Sequence, residues 1–109
     1  MRRTASILSV GVVLVGAVLL GTAAAADFTV RQKNRTFSVR QLTVKAGDQV
    51  TFVNDDAVSH NVVSEAKGLE FDFVQRPGRA DTVRLAQPGV AEVSCAIHPA
   101  MKLRILVTP

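Results

Sequence analysis

Sulfur and imidazole are scarce in this chain. Its 109 residues hold one cysteine, two histidines and two methionines, one of which is Met1, and neither tryptophan nor tyrosine occurs. A single cysteine excludes an internal disulfide, so Cys95 is left as an intermolecular bridge, a reactive thiol or a metal ligand. Long apolar runs are scarce as well. The most apolar stretch, Ile7 to Leu20, is shorter than the ~20 residues that a membrane span needs, and no cysteine follows it to carry a lipid anchor. Charge of one sign is nowhere gathered into a run, which gives nucleic-acid binding no support. Internal repeats and helical periodicity of useful length are also missing.

The first residues follow the three-part plan of a secretory signal. Met1-Arg2-Arg3 is a basic head, Ile7 to Leu20 an apolar centre, and Ala23 to Ala26 the small residues that a signal peptidase requires. The A-x-A pattern places the cut after Ala26, with a cut after Ala25 nearly as good. The expected organisation is therefore a signal peptide over 1–26 and one exported, periplasmic domain over 27–109. Without Arg2 and Arg3, the 13 Lys and Arg fall to 11 against 9 Asp and Glu. The 83 residues from Asp27 onward have room for a single modest core, which benefits from a staple. With no disulfide available, a metal is the candidate staple.

The mature part reads as strands and turns. Phe28 to Val30 alternates, as do Phe37 with Val39 and Leu42 with Val44, and the slip of phase between those pairs predicts a bulge or a strand switch. "KAGD" (Lys45 to Asp48) is a turn, and "QVTFVN" (Gln49 to Asn54) is a strand rich in β-formers. "RPGR" and "QPG" are turns on either side of a strand over Asp81 to Leu85. Val90 to Cys95 and Lys102 to Val107 form the last two strands. Within Ser64 to Val74, "SEAKG" reads as a loop or a single helical turn. Short strands at this spacing predict an all-β domain, a small antiparallel or mixed β-sandwich.

Against this background "SCAIHPAM", Ser94 to Met101, stands out. It gathers the cysteine, one histidine and the second methionine in the loop between the last two strands. Cys95, His98 and Met101 follow at steps of three, so a compact loop turns all three side chains towards one point. His60, in "SHNVV", lies after the strand Gln49 to Asn54 and at the same end of the sandwich. Singly, each residue has a plainer reading: Cys95 as a small buried hydrophobe, His60 as an exposed loop residue, Met101 as core filler. Together, two histidines, a cysteine and a soft thioether form the ligand set of an electron-transfer copper site. Zinc is the other metal that such a set takes. An activated Cys95 thiolate beside an imidazole is the enzymatic alternative, but no oxyanion-hole segment accompanies it and the chain leaves little room for a substrate cleft.

"KAGDQVTFVN", "NDDAVSHNVV", "QPGVAEVSC" and "CAIHPAM" resemble the cupredoxins, the plastocyanin and amicyanin group of small blue copper proteins. The resemblance runs from about Phe37 to Val107, and the short C-x-x-H-P-x-M loop is most similar to amicyanin. It implies a Greek-key β-sandwich holding one type 1 copper on His60, Cys95, His98 and Met101, with Asn61 tying the two ligand-bearing loops together. It further implies single-electron shuttling, with a periplasmic amine dehydrogenase and a c-type cytochrome as partners of a monomeric carrier that is not an enzyme. The uncharged neighbours of His98 make His98, Pro99 and Ala100 the expected portal for electrons, with Lys102, Arg76 and Arg79 steering the encounter. A copper carrier or storage protein is the alternative, although one site consumes every soft ligand of the mature chain. Ala91, Val93 and Ser94 stand on the strand entering Cys95, where relatives often have aromatic residues.

Overall fold

The computed structural model describes residues 24–109; the expected signal segment, apart from its last three alanines, lies outside the described residues. Nine strands follow one another: β1 (Asp27–Lys33), β2 (Thr36–Phe37), β3 (Gln41–Lys45), β4 (Gln49–Asn54), β5 (His60–Ser64), β6 (Phe71–Gln75), β7 (Ala80–Arg84), β8 (Gly89–Ser94) and β9 (Lys102–Thr108). They form a four-stranded sheet in the order β2-β1-β4-β7 and a five-stranded sheet in the order β3-β9-β8-β5-β6. Among the described residues there is no helix.

Period-two alternation builds the core, because successive side chains of a strand point to opposite faces. Val30 of β1, Val50 and Phe52 of β4, Val62 of β5, Ala91 and Val93 of β8, and Leu103, Ile105 and Val107 of β9 are all buried in one cluster shared by the two sheets. Phe52 lies at its centre, with the rings of Phe37, Phe71 and Phe73 at centroid distances of 6.3, 5.8 and 6.2 Å. Such edge-on and tilted contacts add to the stabilisation from burial alone.

The phase slip between Phe37 and Leu42 is a strand switch: β2 ends the first sheet and β3 begins the second. Both sheets are mixed, since β1 runs parallel to β4 and β3 parallel to β9. Within Ser64 to Val74, only 65–70 is irregular. It is closed by the Leu69 N–H donating to the carbonyl of Ala66 at 2.8 Å, and Phe71–Gln75 beyond it is a strand. In "KAGD", Gly47 has φ 97°, a left-handed conformation that costs a glycine nothing. Asp48 closes that turn by accepting the Lys45 N–H at 2.8 Å.

This topology gathers four connections at one end of the sandwich. They are the β1–β2 turn, the 55–59 segment, the β6–β7 turn and the 95–101 loop, because β1, β4, β6 and β8 all finish where β2, β5, β7 and β9 begin.

Candidate metal centre

Cross-strand register delivers the first two side chains. Val63 of β5 faces Ser94 of β8, so Cys95, one residue on, comes beside the start of β5, where His60 and Asn61 stand. The Asn61 N–H donates to Cys95 Sγ at 3.3 Å, and Asn61 Oδ1 accepts the Ala96 N–H at 3.3 Å. The Asn61 amide also donates to Asp72 at 2.8 Å and to the Phe73 carbonyl at 3.3 Å. One side chain thus links the β5 start, β6 and the 95–101 loop, the tie expected of Asn61.

His98 then returns from the loop. Its Nδ1 lies 3.2 Å from Nδ1 of His60 and 3.8 Å from Cys95 Sγ, and His60 Nδ1 lies 3.9 Å from the same sulfur. His60 is fully buried, Cys95 is 1% exposed, and His98 is half-buried. Two nitrogens and one sulfur converge on a point about 2 Å from each nitrogen and slightly further from the sulfur, the distances that first-row metals take. Met101 closes the loop, its N–H donating to the His98 carbonyl at 2.9 Å, and its side chain is buried against the core beside this point. The donor chemistry, two imidazoles and a thiol with a thioether nearby, fits copper.

A carboxylate absent from the sequence reading fixes the deeper imidazole. Asp56 Oδ2 lies 2.9 Å from His60 Nε2 and also accepts the Arg35 N–H at 2.8 Å. The Arg35 N–H, then the His60 contact, hold the Asp56 carboxyl down to about 2. An ionised Asp56 accepts the Nε2 proton of His60, and this leaves the Nδ1 lone pair aimed at the other donors. The one signal in the sequence is spacing, since Asp56 stands four residues before His60 in the same connection.

Arg35 had no sequence signal. With Asn34 it forms the β1–β2 hairpin turn at φ 57° and 52°, the left-handed pair that a two-residue type I′ turn demands. Asparagine accepts this conformation readily, whereas arginine loses about 1 kcal/mol in it. The bond to Asp56 offsets part of that cost. The Arg35 side chain crosses the outer edge of the site, its Nε 3.3 Å from Nε2 of His98. Of the three cations expected to steer, Arg76, Arg79 and Lys102 are all exposed at this end, and Arg79 is bonded to Asp81 at 3.2 Å.

Comparison with known proteins agrees with this geometry. The sequence profile described as "Copper binding proteins, plastocyanin/azurin family" matches residues 24–108. Amicyanin-alpha of Methylorubrum extorquens is 32% identical over 75 residues, covering 65% of this chain and 63% of that protein. This chain therefore spans less than two thirds of that relative's length. Plastocyanin of Prochlorothrix hollandica is 31% identical over 111 residues, covering 89% of this chain and 85% of its own. Among solved structures, a reduced Cu(I) form of an amicyanin variant superposes with TM-score 0.68 at 26% identity, over 80% of this chain and 86% of that one. The copper-containing nitrite reductase of Thermus scotoductus superposes with TM-score 0.71 at 25% identity, over 85% of this chain but 26% of the enzyme. With a two-sheet sandwich, a buried cluster of two histidines and a cysteine, and a profile match spanning the described domain, this chain belongs to the plastocyanin/azurin family of copper-binding proteins, the cupredoxins.

Proposed function

We propose that the protein is an exported type 1 blue copper protein that shuttles single electrons between redox partners, its copper held by His60, Cys95, His98 and a weak axial Met101. The observation that carries this reading is the triangle of His60 Nδ1, His98 Nδ1 and Cys95 Sγ, whose edges are 3.2, 3.8 and 3.9 Å. Copper bound there supplies a one-electron couple between Cu(I) and Cu(II). The residues contribute rigidity. Asp56 holds His60, the Asn61 and Ala96 amides hold the sulfur and its loop, and the Met101–His98 backbone bond closes the loop around them. A donor set held in place from several sides changes little between oxidation states, and little rearrangement means fast transfer.

His98 is the ligand nearest solvent, flanked by exposed Ala96, Ile97, Pro99 and Ala100. These four loop neighbours carry no charge and let a partner approach closely, with the Arg35 guanidinium at His98 Nε2 beside them, so His98, Pro99 and Ala100 form the portal. A c-type cytochrome and an amine dehydrogenase are the partner classes that the amicyanin likeness supports, met in the periplasm by a monomer. Burial weighs against the enzymatic alternative, because a substrate has no route to a sulfur that is 1% exposed. It also weighs against a carrier that hands copper on, since His60 and Cys95 are enclosed.

The copper-loaded, oxidised protein is expected to be intensely blue from thiolate-to-Cu(II) charge transfer, and Cys95→Ser is expected to abolish the colour. A colourless oxidised protein holding stoichiometric zinc would overturn the assignment. Ready loss of Cu(I) to a mild chelator would favour the carrier instead.

A further inference from the structure

The A-x-A pattern allows a cut on either side of Ala26, and the far end of the sandwich discriminates between them. Ala26 precedes β1 and already belongs to its ladder. Its carbonyl accepts the Gln49 N–H at 2.9 Å, and its N–H donates to Asp48 Oδ1 at 2.9 Å. Asp48 is only 6% exposed, and its other oxygen accepts the Lys45 N–H at 2.8 Å. Within a strand the N–H and C=O of one residue face the same neighbour, and those of the next residue face the opposite way. Both polar groups of Ala26 therefore face β4, while the Asp27 amide faces away from it.

From this arrangement we infer that the mature protein begins at Ala26, whose new α-ammonium binds the buried Asp48 carboxylate and locks β1 onto β4. The inference rests on reading the leading segment as a cleaved signal. It differs from the cut after Ala26 that the sequence pattern alone favours. Hydrolysis of the Ala25–Ala26 bond consumes one water, giving Ala25 the carboxylate and Ala26 the amine. The amide that donates to Asp48 then becomes an ammonium at the same position, and a hydrogen bond to a carboxylate becomes an ion pair. A cut one residue later removes the Ala26 carbonyl and N–H together. It leaves the Gln49 N–H and Asp48 Oδ1 without these partners and places the new ammonium on the side of the strand facing away from Asp48. Ala24 and Ala25 are exposed and precede the first strand.

The test is to express the whole chain with export and determine the first residue of the secreted protein by intact mass and terminal sequencing. Ala26 as the first residue supports the inference. Asp27 as the first residue overturns it while leaving the signal reading intact, and an uncut chain overturns both. Neither result bears on the colour of the copper-loaded protein, which tests the functional reading separately. The ion pair is tested by comparing chains made to begin at Ala26 and at Asp27, each with and without Asp48→Ala. The Ala26 form is expected to melt higher by on the order of 5 °C, as two lost hydrogen bonds in a domain this small imply. That difference is expected to shrink to about half when Asp48 is removed, because the Gln49 N–H bond to the Ala26 carbonyl remains. Equal melting of the Ala26 and Asp27 forms, or a difference that survives Asp48→Ala unchanged, would overturn the pairing.

Discussion

The contacts of His60 show how one side chain outside the ligand set governs the site. Its Nε2 rests on Asp56, which is kept ionised mainly by the Arg35 N–H. Asp56→Asn keeps the shape but replaces a charged acceptor with a weaker one that can also turn a donor towards the ring. We expect a folded protein whose copper affinity falls roughly 10–100-fold, measured by competition with a Cu(I) chelator; unchanged affinity would mean that burial alone orients the ring. Met101 sits at the same scale. It is buried, and in the proposed copper site its thioether would be the weak ligand that tunes the potential. Met101→Gln is expected to leave the protein folded and coloured while lowering the reduction potential. An unchanged potential, read by voltammetry, would reduce Met101 to packing. Cys95, His98 and Met101 were legible as candidate donors because their chemistry is rare in the chain and their spacing is compact, and the structure brings Cys95 and His98 together with His60. Asp56 and Arg35 were not, because carboxylates and guanidiniums are common on any surface and only their position at the end of β4 and β1 gives them a role.

Among the elements, β1 is the one most dependent on a single charge. Asp48 accepts hydrogen bonds from the Ala26 and Lys45 backbone, and these, in that order, hold its carboxyl below the usual range. A depressed carboxyl contributes stability that is complete above its ordinary pKa and is lost as pH falls through the folded-state value. The melting temperature is therefore expected to decline below about pH 4, the ordinary carboxylate value, and Asp48→Asn is expected to be less stable at neutral pH with a flatter acid limb. A parallel acid limb in mutant and wild type would assign the loss to other carboxylates. Strand prediction succeeded where one face is core and the other is solvent, as in β4 and β9, whose buried positions alternate without a break. It missed β5 because its buried start at the site breaks the alternation: four of its five residues are buried, His60 and Asn61 among them. It missed β6 because Phe71 and Phe73 follow the irregular 65–70 segment closely, and their pairing with β5 is a tertiary fact.

Across the whole molecule, charge is distributed unevenly between the two ends. Arg31, Lys33, Arg35, Arg76, Arg79 and Lys102 lie towards the end bearing His98, against Asp55, Asp56, Asp72 and Asp81. Each of those four acids is already bonded, to Arg31, to His60 and the Arg35 N–H, to the Asn61 amide, and to Arg79 and Gln75. At the far end Asp27, Asp48, Glu65 and Glu70 outnumber Lys45, Lys67 and Arg84. In the proposed reading, the positive end would orient an approaching acidic partner towards the His98 loop, an effect that salt weakens. Electron transfer with an acidic-faced c-type cytochrome is expected to slow as ionic strength rises, and Arg76→Glu to flatten that dependence. Ala100→Glu is expected to preserve the visible spectrum while lowering the rate. A rate indifferent to both salt and Ala100→Glu would place docking elsewhere.

By itself the sequence determined the chemistry: which atoms were available as soft donors, that three of them shared one loop, and that alternating apolar residues would form a sandwich around a single core. These are local properties, set by residue type and by spacing of a few positions. Only the tertiary structure decided which distant residues serve that loop. His60 and Cys95 are 35 residues apart in the chain and meet because Val63 faces Ser94 across β5 and β8. Arg35 reaches Asp56 because β1 and β4 run parallel and end together, with Gln32 opposite Asn54. A shift of one residue in either pairing would turn every side chain of that strand to the other face, so the register of the sheets, which no local pattern encodes, assembles the site.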